Sequence, residues 1–150
     1  MNKDSFYMDQ ALREAKKAFD KDEVPVGVVI VHKGSIIARA HNQVEMLKDP
    51  TAHAEMIAIT QAANYLQNER LIGCSLYVTI EPCSMCAGAM VLARIDRLIY
   101  GASDPKTGAC GSIINVVDNK KLNHRINVKK GVLEDEAGLL LRDFFKKKRK

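Results

Sequence analysis

The chain has 150 residues, 47% of them hydrophobic and 27% charged, and carries a formal net charge of +5 at pH 7. This length suits one domain with a proper core, and no apolar run approaches the roughly 20 residues of a membrane span. The positive charge is compatible with an anionic partner but does not require one.

The first third of the chain predicts one helix followed by a hairpin. Apolar residues recur at helical spacing between Met8 and Phe19, with Asp4 or Ser5 as the expected cap. Strands are expected over 26–31 and 36–40, joined by a tight turn. The first of these strands is almost continuously apolar, which indicates burial on both of its faces.

The rest of the chain predicts helices alternating with strands. Because a helix lies between the strands expected at 76–80 and 95–100, their crossover should be parallel and right-handed. A short helical piece is expected at 113–117, and a last helix begins at Glu134. The remaining predictions are helices over 52–65 and 82–94 and a fifth strand over 126–132.

The four cysteines favour metal binding over disulfide bonds, because the chain begins without the basic-then-apolar order of a signal peptide. On that ground we expect a cytoplasmic protein. Two stretches carry the chemistry: His53-Ala54-Glu55 and Pro82-Cys83-Ser84-Met85-Cys86. One imidazole and two thiols supply three ligands of the kind zinc prefers. Catalytic zinc sites use three protein ligands and keep a fourth position for water.

Both stretches are expected at helix starts. Cys83 and Cys86 are three residues apart and share one helix face, with Pro82 expected as the first helical residue. His53 and Glu55 are two residues apart, so they can serve one centre only at the very beginning of a helix. The sequence therefore predicts two helix N-termini directed at one metal ion.

The two stretches match the known signature of zinc-dependent deaminases. The chain resembles the cytidine deaminase superfamily and, more closely, the bacterial tRNA-specific adenosine deaminases. This resemblance implies a three-layer α/β/α fold around a five-stranded mixed sheet, formed as a single zinc-dependent deaminase domain over residues 1–150. The segments that carry it are 24–27, 41–42, 49–55, 81–90, 104–108, 123–125 and the pair Phe144-Phe145.

The resemblance implies a reaction and a partner. The reaction is hydrolytic deamination of the wobble adenosine to inosine in the anticodon loop of a tRNA, an arginine tRNA in the family. One Zn²⁺ per subunit would activate water as the nucleophile, with Glu55 as the proton shuttle. The protein would form a homodimer and bind no membrane. The implied substrate-binding residues are Asn42, Asp104, Lys106 and Asn123, and the basic ending at 146–150 is a candidate for phosphate contact.

Three alternatives stay open at this stage. A deaminase of a free nucleobase, nucleoside or nucleotide, such as guanine or cytidine, shares the same metal signature. A thiol redox protein could use Cys83 and Cys86, but this leaves His53 and Glu55 unexplained. A noncatalytic, zinc-stabilised RNA-binding module would need a fourth protein ligand, and the sequence offers no convincing one.

Overall fold

The computed structural model describes residues 2–149, which form five helices and five strands. In chain order the elements are α1 (Lys3–Asp20), β1 (Gly27–His32), β2 (Ser35–His41), α2 (Val44–Leu47), α3 (Ala54–Leu66), β3 (Cys74–Ile80), α4 (Ser84–Leu92), β4 (Arg97–Ala102), β5 (Asn127–Lys129) and α5 (Glu134–Lys148). Over the part of the chain that the structure describes, no helix combines the length and apolarity needed to cross a membrane.

The strands form one mixed sheet in the order β2-β1-β3-β4-β5. The hairpin β1–β2 and the pair β1–β3 are antiparallel, whereas β3–β4 and β4–β5 are parallel. The predicted hairpin and the predicted parallel crossover through α4 are both confirmed. The carboxyl ends of β3 and β4 consequently lie at the same edge, where the two metal-ligand stretches begin.

The sheet is covered on both faces. Val28 and Ile30 pack with α3 and α4, and Val29 packs with α1 on the opposite face. Helix α5 joins α1 on that second face through Ala137, which packs against Leu12. All five of the residues 27–31 are buried, so the predicted burial of this strand on both faces is confirmed. The fold is the predicted three-layer α/β/α arrangement.

Gly27 lets α1 lie directly on the sheet. A Cβ added at this position would lie 2.0 Å from the carbonyl oxygen of Ala11 and 2.4 Å from the backbone nitrogen of Ala15. Any side chain here would therefore push α1 away from β1. This contact keeps the first helix close to the end of β2, which leads into the site.

Several predicted boundaries were wrong. Asn2 caps α1 through a hydrogen bond from the backbone of Ser5, in place of Asp4 or Ser5. Helix α4 begins at Ser84 with Cys83 as its N-cap, so Pro82 precedes the helix. The short helix α2 was not predicted, and β5 is shorter than 126–132.

The helical piece expected at 113–117 is absent from the described structure, which has turns there. The amides of Ile113 and Val116 donate to the carbonyls of Gly108 and Ala109, not to partners within a helix. The segment folds back on the preceding loop because these longer-range hydrogen bonds replace a local helical ladder.

Candidate metal centre and deaminase site

Two helix N-termini meet at the carboxyl edge of the sheet. His53 is the N-cap of α3 and Cys83 is the N-cap of α4, both with extended backbone. Cys86 lies in the first turn of α4, on the same face as Cys83. The positive ends of both helix dipoles point at this position, which favours thiolate over thiol.

The three candidate ligand atoms form a compact triangle. The Nδ1 atom of His53 lies 3.6 Å from the Sγ of Cys83 and 3.5 Å from the Sγ of Cys86. All three atoms lie within 4.8 Å of one another. Sulfur at about 2.3 Å and nitrogen at about 2.0–2.1 Å from a tetrahedral ion would be about 3.6 Å apart. The donor set can therefore hold a metal ion such as zinc without rearrangement.

The two thiols share one hydrogen bond. The Cys86 thiol donates to Cys83, which lowers the pKa of Cys83 to about 5 and raises the pKa of Cys86, with burial adding to the latter effect. One thiolate is thus present at neutral pH, and metal binding releases the remaining proton. The imidazole of His53 lies beside both sulfurs and completes the donor set.

Glu55 is buried beside this triangle, with only 4% of its surface exposed. Burial raises the pKa of its carboxyl group to about 7, although its own backbone N–H and His53 oppose the shift. A carboxyl group that takes up and releases protons near neutral pH is suited to general acid–base chemistry. A bound cation would lower this pKa again, because it favours the ionised carboxylate.

Asn42 joins the end of β2 to the start of α3. Its Oδ1 atom accepts a hydrogen bond of 2.8 Å from the backbone N–H of Ala54. Because an N–H donor requires an oxygen acceptor, the Nδ2 amide is the part of the side chain left to face the cavity. Asn42 therefore positions the helix end that carries His53 and Glu55, a role that sequence reasoning did not expect.

An open cavity of about 670 Å³ gives access to the site. Its walls include Asn42, His53, Glu55, Cys83 and Asp104. The structure therefore brings together most of the predicted site residues.

The other predicted residues lie elsewhere. Lys106 faces a neighbouring groove of about 870 Å³ between its own loop and α5. Asn123 is exposed and lies outside the described walls of both cavities. Its substrate contact stays a prediction.

The two remaining cysteines are buried apart from the triangle. Burial raises the pKa of Cys74 to about 11 and that of Cys110 to about 12. Both thiols are therefore protonated at neutral pH, which suits small buried side chains more than metal ligands.

Glu81 is a cavity residue that sequence reasoning missed. It is only 3% exposed and follows directly on the buried strand β3. The available signal was a charged residue that ends an apolar strand immediately before Pro82. Such a position forces the carboxylate to find several hydrogen-bond donors within the fold.

Comparisons with known proteins agree with this site. A family model described as MafB19-like deaminase matches residues 1–149. A tRNA-specific adenosine deaminase of Aquifex aeolicus is 54% identical over 144 residues, covering 96% of this chain and 95% of the relative. The chain belongs to the tRNA-specific adenosine deaminase family. Membership makes it a deaminase, so the noncatalytic alternative is wrong.

Solved structures of the wider deaminase group share the fold. A structure from work on A-to-I editing by tRNA deaminases at the wobble position of transfer RNA has a TM-score of 0.87 and 46% identity; the match covers 91% of this chain and 99% of that one. A guanine deaminase from Nitrosomonas europaea has a TM-score of 0.78 and 25% identity, over 93% and 83% of the two chains. The fold is therefore common to deaminases of RNA and of free bases.

We expect Cys83→Ala to lower the metal content of the purified protein from about one ion per chain to near zero, because two ligands cannot close the site. Elemental analysis after dialysis against trace zinc measures this directly. Cys110→Ala is the matched control, since it removes a thiol outside the triangle and should leave the metal content unchanged. Equal metal loss in both variants would contradict the proposed ligand set.

Proposed function

We propose that this chain hydrolytically deaminates the wobble adenosine to inosine in the anticodon loop of a tRNA, with an arginine tRNA as the first candidate. The observation that carries the proposal is the triangle of His53, Cys83 and Cys86 with the buried carboxyl group of Glu55 beside it, in an open cavity. The relatives' activity on tRNA supports the substrate class. We take residues 1–150 as one zinc-dependent deaminase domain.

The ligand triangle would hold one Zn²⁺ per subunit. Bound zinc lowers the pKa of a coordinated water toward about 7 and so supplies a nucleophile at neutral pH. His53, Cys83 and Cys86 would supply three protein ligands, the number typical of catalytic zinc sites. The chain would thereby leave one coordination position for water.

Glu55 moves the protons of the reaction. Its carboxylate accepts a proton from the attacking water and delivers it to a ring nitrogen of adenine, which makes C6 more electrophilic. After the C6–oxygen bond forms, Glu55 takes the remaining proton from the new C6 hydroxyl and passes it to the amino group. The C6–nitrogen bond then breaks with loss of ammonia, and C6 keeps the oxygen as a carbonyl. Adenosine and water thus give inosine and ammonia. The position of Glu55 beside the ligand triangle lets one carboxyl group serve both proton transfers.

The cavity selects a base that is outside a helical stack. The Nδ2 amide of Asn42 can donate a hydrogen bond to a nucleoside at the cavity wall, while its Oδ1 holds α3. An anticodon loop presents unstacked bases whose edges are exposed, which suits such a pocket. Asp104, Lys106 and Asn123 remain our proposed contacts to neighbouring nucleotides.

The first test compares wild-type protein and Glu55→Gln on an arginine tRNA, its anticodon stem-loop, free adenosine, cytidine and guanine. We expect inosine at the wobble position and little ammonia from the free compounds. Glu55→Gln should keep its zinc and lose about 10²- to 10⁴-fold in rate, because the amide cannot shuttle protons. Reverse transcription and ammonia release measure these outcomes.

The matched control is Glu69→Gln, which makes the same change at an exposed side chain outside the cavity walls. It should retain wild-type activity. Preferred turnover of guanine or cytidine would favour the free-base alternative, and near-normal turnover by Glu55→Gln would contradict the proton-shuttle role.

We propose that the end of α5 contacts RNA phosphates. Lys148 is paired with Asp22 at 2.6 Å, and Lys147 lies over the ring of Phe19. Lys146 and Arg149 have no ion-pair partner within residues 2–149, and both line the groove that also contains Lys106. Lys150, the last residue of the predicted basic ending, lies outside the described residues.

Replacing both Lys146 and Arg149 with alanine should weaken tRNA binding and flatten its salt dependence. Each lost phosphate contact should reduce the slope of log K against log salt by about 0.7–0.9. The control Lys16→Ala/Arg70→Ala removes the same charge from exposed positions away from the groove. Equal slopes for the two double variants, measured by filter binding, would remove α5 from the RNA interface.

We propose a homodimer formed on the α3–α4 side of the sheet. Leu92, at the end of α4, is 82% exposed, and Ile113 and Ile114 are also exposed. Large exposed apolar side chains that form a contiguous patch mark interfaces. Leu92→Glu with Ile114→Glu should convert a dimer into a monomer, as measured by light scattering. Phe6→Glu on the opposite face is the control, and a monomeric wild type would contradict the proposal.

We place the reaction in the cytoplasm, because a reducing compartment keeps the ligand thiols of Cys83 and Cys86 free. Recovery of the protein mainly from a membrane or extracellular fraction would contradict this location.

A further inference from the structure

Glu81 carries a buried carboxylate that the deamination steps do not use. It accepts four hydrogen bonds, all from one loop. The backbone N–H of Asp104 and the hydroxyl of Ser112 donate to Oε1, and the backbone N–H groups of Cys110 and Ser112 donate to Oε2 at 3.0 and 3.1 Å. Within residues 2–149 no lysine or arginine forms an ion pair with it. The hydrogen-bond donors of the loop therefore take the place of an ion-pair partner for this carboxylate.

The loop backbone is shaped around this carboxylate. A Cβ added at Gly108 would lie 2.4 Å from the Cδ of Glu81 and 2.5 Å from the carbonyl oxygen of Asp104. Only a residue without a side chain fits between them. The backbone N–H of Ala109 also donates to the carbonyl of Pro82 at 2.9 Å. The segment 104–112 is thus held at both ends and in its middle by residues 81–82.

A carboxylate matches the hydrogen-bond donors that surround Glu81. Three backbone N–H groups and one hydroxyl are directed at its two oxygens. A carboxylate offers acceptors to all four donors at once. A glutamine would keep one oxygen and turn an NH₂ group toward donors, so the anchoring would be lost at nearly constant volume.

The anchored loop is one wall of the active-site cavity. Asp104 and Thr107 face the cavity, and Lys106 faces the groove beside α5. The carboxylate of Asp104 accepts hydrogen bonds from the backbone of Lys106 and Thr107 and from the Thr107 hydroxyl. Asp104 therefore stiffens the tip of the loop, and the position of that tip depends on Glu81.

We propose that Glu81 is a positioning residue that fixes the loop 104–112 as the RNA-facing wall of the site. The inference rests on the proposed tRNA function. Loss of the anchor should weaken capture of the nucleotides around the target base, while Glu55 and the metal ligands continue to perform the chemistry. Glu81 acts only through the loop and touches neither the reacting atoms nor the metal.

The kinetic test compares Glu81→Gln with Glu69→Gln on the anticodon stem-loop. Glu81→Gln should raise KM at least about tenfold, leave kcat within about threefold and keep its zinc, while Glu69→Gln should match the wild type. Ser112→Ala removes only one donor and should raise KM by a smaller factor. If Glu81→Gln fails to fold or loses zinc, the KM of Ser112→Ala tests the proposal in its place. An unchanged KM in Ser112→Ala and in any folded Glu81→Gln, or a fall in kcat alone, would overturn the proposal.

Amide hydrogen exchange tests the anchor independently of tRNA activity. The amides of Cys110 and Ser112 should exchange at least about tenfold faster in Glu81→Gln than in the wild type or Glu69→Gln. If the wild type does not deaminate tRNA, the proposed function fails while these exchange rates still test the anchor. If the wild type is active and both KM and exchange are normal in Glu81→Gln, only the role of Glu81 is wrong.

Discussion

The structure depends on the convergence of two helix N-termini at one edge of a sheet. His53 caps α3 and Cys83 caps α4, and both helices pack on the same sheet face. The positive ends of their dipoles stabilise the thiolate that metal binding needs. A shift of either helix by a fraction of a turn would separate Nδ1 from the two sulfurs. The packing of α3 and α4 on the sheet therefore also brings together the three candidate metal ligands.

Hydrogen bonds from side chains to backbone hold this edge of the molecule in place. Asn42 fixes the start of α3, and Glu81 fixes the loop that faces it across the cavity. Both side chains are buried, so the loss of their hydrogen bonds would leave polar groups with little access to water and would be costly. The ligand triangle lies between these two anchors. Precise placement of the reacting groups thus comes from polar contacts, while the apolar core supplies the platform beneath them.

The site consists of a floor, whose groups lie on helices, and a rim formed by one loop and one helix end. His53, Cys83, Cys86 and Glu55 lie at helix starts, where rigid elements fix their separation. The rim consists of the loop 104–112 and the end of α5, which carry Lys106, Lys146 and Arg149. Relatives with this fold act on tRNA or on guanine. We therefore propose that the floor performs the reaction common to the group and that the rim selects the substrate.

The sequence by itself predicted the candidate ligand set, the neighbouring acid and the fold class. Local spacing places Cys83 and Cys86 on one helix face, and the order of strands and helices requires a parallel crossover at α4. Tertiary structure alone decided the role of Asn42, the turns at 113–117 and the four donors around Glu81. These features depend on hydrogen bonds between segments far apart in the chain, such as Glu81 to Cys110, and no local pattern encodes them. Short-range periodicity reports which face of an element is buried, but only the folded chain decides which donors a buried carboxylate meets.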